Sequence, residues 1–559
     1  MKKLFYLLFI LSEFSLIGQA PTFQWVKPNS SHSASKIVSD DSGNIYTAGT
    51  FTGTIDLDLG PGTFTVVSGD GIKSDIFISK FDGAGNFIWG KSFGSFSFED
   101  NMYGMTIDTA NNIYLTGSFT DIVDFDPGPS TYTLATTMGN TYILKLNPTG
   151  NFSWAKQLGG TGNSYGFDIS VDNLCNVYTT GIFDGTIDLD PGPGTSTINT
   201  TKAIFMSKLN SSGNFVWGKT IPCSNLETVY SIEADRVGNV YLTGNFFNTL
   251  DFDPGAAVFN LTSLDQGDIF LLKLDPSGNF SWVKGFSGLG NDMGRALVTD
   301  SSGNIILGGR FKYIIDFDPG PSTYTLMSVA SDDVFILKLD GGGNFLWAKS
   351  MGNSLPDYLI DLTLDSFQNV YSIGMFEQTV DFDPGSGTFN LTAVIFNPLG
   401  FFSKLDPNGN FLWAWTFSSS GPNGCNAFTI DKFNNVYSVG YFGSISDFDP
   451  GTSTYTLNPV SSGGAYIHKL SQPLVGIQEF ETANYFGIYP NPNNGSVTIE
   501  LNSNSLVIVK NVLGEEIMYQ TLPSGKQKLN LEGLSAGIYF VSVKEKDKTP
   551  STQRIIITK

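Results

Sequence analysis

The sequence predicts an all-β fold, a seven-bladed β-propeller over residues 21–471, closed by its N-terminal strand and followed by a small β-sandwich over residues 484–559. Three observations predict it. One pattern recurs seven times at a near-constant period, and each copy reads as short strands without an amphipathic helix. The last copy lacks one strand, and its counterpart stands near the start of the chain.

A chain of 559 residues is longer than one hydrophobic core usually supports, so repeats or several domains are expected. It opens with Met1-Lys2-Lys3, an apolar run from Leu4 to Leu11, and small and polar residues ending Gly18-Gln19-Ala20. This order predicts a signal peptide over residues 1–20 and hence export. No later stretch stays apolar for the roughly 18 residues a membrane helix needs, so no transmembrane segment is expected in the mature protein.

The repeat is clearest in D-x-D-x-G, which begins at Asp56, Asp124, Asp188, Asp251, Asp316, Asp381 and Asp447. Successive copies lie 68, 64, 63, 65, 65 and 66 residues apart. Other markers keep the same period: a D-x-x-x-N turn first seen at Asp40, a strand ending in Lys first seen at Lys80, and G-N-F-x-W. Stretches such as Asn44-Ile45-Tyr46-Thr47-Ala48-Gly49 are β-branched or aromatic and bounded by Gly, Asn and Asp turns, as strands are. A unit of this length holds a four-stranded blade and one long loop.

G-N-F-x-W supplies Trp89, Trp154, Trp217, Trp282, Trp347 and Trp413, but nothing of the kind follows Lys469. Phe23-Gln24-Trp25-Val26-Lys27 matches Phe87-Ile88-Trp89-Gly90-Lys91 position by position, so the first strand is expected to complete the last blade. A closed ring removes the long exposed edges that an open array would need to cap.

Asp40-Asp41-Ser42-Gly43-Asn44-Ile45-Tyr46, Asp75-Ile76-Phe77-Ile78-Ser79-Lys80 and Gly85-Asn86-Phe87-Ile88-Trp89 together resemble the bacterial β-propeller repeat family known as SBBP, a likeness that covers residues 22–470. The resemblance implies the fold and leaves activity open.

After a linker expected at 472–483, the periodicity stops. Tyr489-Pro490-Asn491-Pro492, then Asn511-Val512-Leu513-Gly514-Glu515, then Leu534-Ser535-Ala536-Gly537-Ile538-Tyr539 follow in order to a basic end at Lys559, with alternating strands between them. This tail resembles the type A sorting domain of the type IX secretion system. The resemblance implies a partner, the secretion machinery, engaged through residues 484–559. It also implies passage across the outer membrane to the cell surface or the medium, and removal of the tail on release or anchoring.

The net charge of −21 belongs to the large domain, which holds 43 acids against 21 bases, while residues 472–559 hold eight of each. That balance argues against nucleic acid, whose binding needs a basic surface. Cys175, Cys223 and Cys425 are too dispersed for a disulfide framework or a thiolate metal site. Only His32 and His468 occur, without a motif, which argues against Ser-His-Asp, Cys-His and His-rich metal chemistry.

The best candidates for chemistry are the paired aspartates Asp56/Asp58, Asp124/Asp126, Asp188/Asp190, Asp251/Asp253, Asp316/Asp318, Asp381/Asp383 and Asp447/Asp449. Along a strand, residues i and i+2 point to one side about 6.5 to 7 Å apart. Calcium, the one cofactor they suggest, needs six to eight oxygens, so the Pro-Gly turn would have to add carbonyls. The competing reading is a turn in which the second Asp hydrogen-bonds its own backbone, with the intervening Phe inside. The tryptophans read as packing between blades rather than as a sugar platform.

Strand order places the D-x-D-P-G excursions and the blade-to-blade loops on one face, the expected binding surface. The first functional reading is a non-catalytic, monomeric binding, adhesion or structural scaffold that engages a glycan or a surface protein. The alternative is an extracellular polysaccharide hydrolase or lyase using propeller-face carboxylates. The discriminating feature is extra acids, Arg or Tyr near the channel on particular blades. No copy stands out along the chain: Phe96-Ser97-Phe98-Glu99-Asp100, Ser224-Asn225-Leu226-Glu227, Arg295 and Arg310 read as solvated surface.

Overall fold

The computed structural model describes residues 20–29, 34–96, 98–223, 227–459, 463–472, 486–511, 516–545 and 551–558. Residues 1–19 of the expected signal peptide, His32, all of the expected linker but Gln472, and Lys559 lie outside the described residues. The chain divides into two compact units, Met1–Pro473 and Leu474–Lys559.

The first unit is an all-β propeller. Its first blade pairs Ala34–Ser39, Ile45–Phe51, Asp75–Phe81 and Phe87–Phe93 in that order, all antiparallel, and among the described residues the pattern recurs along the unit as five such four-stranded sheets and one eight-stranded sheet that joins the second and third repeats. The excursion between the second and third strands forms its own small hairpin, as in Thr54–Asp56 with Thr65–Val67. In the second and third blades the hairpin is continuous with the main strands, and Gly159 and Gly160 of one blade pair with Asp188 and Ile187 of the next.

The N-terminal strand Thr22–Asn29 pairs antiparallel with Gly464–Ser471, with Trp25 opposite Lys469, and so becomes the outer strand of the last blade. The innermost strands touch one another in a circle, and Ala34–Ser39 contacts both Asn101–Ile107 and Asn423–Ile430.

The repeated turn follows from side-chain chemistry. Asp40 accepts hydrogen bonds from the backbone N–H of Ser42 and Asn44, from the Asn44 amide and from the Tyr46 hydroxyl, which is why Asp, Asn and Tyr recur at this spacing. Burial alone would raise the Asp40 carboxyl, but the Asn44 and Ser42 hydrogen bonds and Lys80 outweigh it and hold it below the usual range. Lys80 lies 3.3 Å from Asp40 and also donates to the carbonyl oxygen of Pro148 in the next blade. The link repeats from Lys145 to Ser211, Lys208 to Pro276, Lys273 to Gly341 and Lys338 to Pro407.

Between blades, aliphatic and aromatic side chains fill the wedge. Tyr46, Ile76 and Ile78 of the first blade pack with Met102, Leu115, Phe119 and Tyr142 of the second. The tryptophans complete this seam: Trp154 and Trp217 donate their indole N–H to the carbonyls of Ser211 and Pro276 in the following blades. Gly213, at φ 76°, lies so close to the Trp154 ring that a Cβ there would meet it at 2.9 Å.

The second unit is a β-sandwich. Phe486–Tyr489, Ser496–Leu501 and Gly525–Asn530 form one sheet, and Glu516–Leu522, Ser505–Lys510, Gly537–Glu545 and Ser551–Ile557 form the other. Val497, Ile499, Val507, Val509, Val541 and Ile555 fill its core. Asn491 of the Y-P-N-P run ties itself to the last strand by accepting from the Ile556 N–H and donating to the Arg554 carbonyl.

Candidate functional site

The seven D-x-D segments form one repeated turn. One carboxylate oxygen of the first Asp (Asp56, Asp124, Asp188, Asp251, Asp316, Asp381 or Asp447) accepts the N–H of the second (Asp58, Asp126, Asp190, Asp253, Asp318, Asp383 or Asp449) at 3.0–3.1 Å. The same oxygen accepts the N–H eight residues on at 2.7–2.8 Å. The second Asp accepts the N–H of the Gly two residues on at 2.7–2.8 Å. The copy without Pro, Asp58-Leu59-Gly60, makes the same bonds. The intervening Phe125, Phe252, Phe317, Phe382 and Phe448 are buried, as are Leu57 and Leu189.

One oxygen of each of these carboxylates is thus committed to N–H donors. Backbone crowds the other at Gly62, Gly194 and Gly387, where an added side chain would run into the Asp58, Asp190 and Asp383 carboxylates. Among the described residues, no three His, Cys, Asp or Glu side chains come together as a metal-holding group.

Of the residues read from sequence as solvated surface, Phe96, Phe98 and Glu99 are exposed, but others are not. Asp100 is fully buried and caps the N–H of Ser95 and Thr120, and Glu227 is 2% exposed. Arg310 pairs with Asp332 at 3.4 Å and lies 5.0 Å from the ring centre of Tyr358. Ser97 and 224–226 lie outside the described residues. Arg295 belongs to the innermost strand Met293–Thr299 and faces the central channel.

That channel encloses a cavity of about 660 Å³, a volume typical of small-ligand sites. Its lining follows from a defect shared by every innermost strand. Pairing with the second strand slips by one residue at Ser35, Tyr103, Phe167, Tyr230, Arg295, Ile360 and Asn426, a β-bulge at the same place in each blade. In a regular strand, neighbouring side chains face opposite ways; the bulge turns its residue and the next one to the same side. Both line the cavity in six blades, and in the other only the bulged Tyr103 does.

The residue after the bulge is Lys36, Asp168 or Asp361 in three blades and Gly104, Ser231, Ala296 or Ala427 in the others. Two positions further on, Glu233 also faces the cavity. Asp168 accepts the N–H of Ile169 and of Ile232 in the next blade, each at 2.9 Å, and Asp361 accepts the N–H of Leu362 at 2.9 Å. Glu233 accepts the hydroxyls of Ser170 at 3.2 Å and Thr299 at 3.4 Å, one from each adjoining blade.

Burial raises all three carboxyls. It lifts Asp361 to about 6, against the opposing pull of Lys36 and the Leu362 N–H, and it lifts Glu233 to about 7. Asp168 rises too, held back by Lys36 and its backbone donors. Lys36 makes no ion pair within 4 Å among the described residues, so it faces the two aspartates without touching them. Arg295 is exposed at the channel and lies 4.9 Å from the ring centre of Tyr230, while Tyr103 meets Phe167 edge to face at 5.7 Å.

Sequence inspection for a single richer copy overlooked this set because its members come from different blades. The signal is present: with the repeats aligned on the turn aspartates Asp40 to Asp431, the positions four and five before it are among those where the repeat fails, and they change in charge as well as in size.

Comparison with known proteins gives two matches to families. Residues 487–558 match the secretion system C-terminal sorting domain, and residues 153–181 match the β-propeller repeat SBBP. The tail is therefore a type IX sorting domain, and the protein is secreted to the cell surface or beyond. A WD repeat-containing protein, L264, of Acanthamoeba polyphaga mimivirus is 26% identical over 485 residues. That match takes in 73% of this chain and 35% of the viral protein, so the chain spans about a third of its relative's length.

Among solved structures, PorZ, a surface component of the type-IX secretion system of Porphyromonas gingivalis, aligns at 12% identity over 94% of this chain and 81% of its own, with a TM-score of 0.21. A protein of unknown function from Bacteroides caccae aligns at 10% identity over 57% and 90%, with a TM-score of 0.24. At those TM-scores neither alignment carries a functional argument.

Proposed function

We propose that this chain is a surface-displayed binding protein whose ligand site is the mouth of the propeller channel. The observation that carries the reading is the shared bulge. The same defect recurs in every blade, in six of them it brings two consecutive residues to one cavity, and at those positions the repeat gives way to Lys36, Asp168, Arg295 and Asp361 beside Tyr103, Phe167 and Tyr230. Scaffold positions are held constant by packing, whereas a binding site needs unlike groups at like positions.

On this reading the D-x-D pairs serve the turn. Their donor set fits hydrogen bonding to N–H groups rather than a calcium cage, since each carboxylate has already accepted backbone donors.

The test is a thermal-shift and calorimetric screen of the purified propeller against small molecules extracted from the producing cells' surface and medium, run in parallel on a Lys36→Met/Asp361→Asn variant. A shift in the parent that the variant loses supports the channel site. An equal shift in both would move the site elsewhere.

A second reading, an extracellular polysaccharide hydrolase or lyase, is favoured by one observation. Glu233 holds its proton up to about pH 7 in the same cavity as Asp168 and Asp361, as a general acid would. Release of reducing ends or unsaturated products from polysaccharide, abolished in Glu233→Gln, would establish it; binding without turnover is the outcome expected here.

A further inference from the structure

Resting on the channel reading above, we infer that the ligand is a short neutral oligosaccharide. The charges in the cavity are mixed and do not neutralise one another by contact. Lys36 stands beyond ion-pair distance of Asp168 and Asp361, and the carboxylates are fixed from behind by backbone N–H groups. Both donors and acceptors are therefore held apart and turned toward one space.

A ligand that satisfies them together must carry donors and acceptors in close alternation. A hydroxylated ring does so without net charge. A polycation would meet Lys36 and Arg295, and a polyanion would meet three channel carboxylates and a chain whose net charge is −21.

The remaining lining supplies what a sugar's C–H face needs. Tyr103, Phe167 and Tyr230 occupy the bulge position in three consecutive blades, and Tyr103 meets Phe167 edge to face to form an aromatic wall. Next to Tyr230 in the chain, Ser231 brings only a small side chain to the cavity. An apolar wall beside fixed carboxylates and an ammonium binds one face of a pyranose by contact and its rim by hydrogen bonds.

The experiment is isothermal calorimetry of the full propeller with cellotriose, maltotriose, mannotriose and N,N′,N″-triacetylchitotriose, against trigalacturonate and spermidine as charged probes. Tyr103→Ala, Asp361→Asn and Lys36→Met are carried alongside, each checked for an unchanged melting temperature. At least one neutral trisaccharide is expected to bind, with a tenfold or greater loss in Tyr103→Ala and in Asp361→Asn. Binding of trigalacturonate or spermidine with no neutral sugar bound would overturn the ligand class while leaving the channel site. Silence of every sugar, together with a channel-dependent shift in the extract screen, also overturns the class alone. Sugar binding unaffected by any of the three substitutions overturns both.

Discussion

The ammonium of Lys469 donates a 2.7 Å hydrogen bond to the carbonyl oxygen of Gly83, although the two residues stand 386 positions apart. It is the bond that Lys80 makes to Pro148, repeated across the seam where the chain's ends meet. The Trp25 indole, contributed by the N-terminal strand, donates to the same carbonyl at 3.3 Å. The seams at Trp89 and Trp413 depart from this: the buried Trp89 indole N–H finds no partner among the described residues, and Trp413 donates to the Gln472 side chain, because the last blade's outer strand arrives from the N-terminus and leaves no third-to-fourth turn to offer a carbonyl.

Removing one partner of the buried lock should cost more than removing both. Lys338 lies 3.0 Å from Asp300, and both side chains are almost wholly buried. Lys338→Met leaves a carboxylate without its counter-ion and is expected to destabilise by about 3 kcal/mol, with the Asp300→Asn/Lys338→Met double variant recovering part of that loss. Denaturant melts of the three variants measure it.

Deleting residues 21–29 should expose the Gly464–Ser471 edge, which Thr22–Asn29 covers over its length. The truncated propeller is expected to melt lower and to associate through that edge, read by light scattering beside calorimetry. A monomer of unchanged melting temperature would show that closure contributes nothing.

Calcium should leave the D-x-D turns unaffected. Asp126→Ala is expected to lower stability by about 1 kcal/mol through loss of the bond from Gly128, equally with chelator and with added calcium. Saturable calcium binding abolished by this substitution would reinstate the metal reading.

Stability should peak in mildly acidic solution. Burial raises Asp292 to about 8, aided by Asp268 and Asp332 and opposed by the Lys312 N–H and Arg310; burial likewise raises Asp357 to about 8, with Asp333 and Glu377 nearby. The folded state keeps these protons where the unfolded state has lost them, so stability is greatest below the ordinary carboxyl value of 3.8 and falls as pH rises towards 8. Asp40, Asp108 and Asp300 are shifted the other way and lose their contribution as pH falls below that value. The melting temperature is expected to rise from pH 8 to about pH 5 and to drop in stronger acid, with a shallower alkaline limb in Asp292→Asn. A profile flat between pH 5 and 8 would contradict these shifts.

The ring was written in the sequence because its devices are local and repeated. Asp40, Asn44 and Tyr46 lie within one turn, Asp124 and Asp126 close their own excursion, and the strand around Trp25 matches the strand around Trp89 residue for residue. Such contacts span a few positions or one period, so counting along the chain finds them. Only the tertiary structure decided the channel. Whether Arg295 faces solvent or the cavity depends on a one-residue slip against the second strand, and Lys36, Asp168 and Asp361, scattered over more than three hundred positions, converge only because seven strands stand in a circle. A period fixes which blade a side chain belongs to; its direction is set by pairing across strands, and its company by closure of the ring.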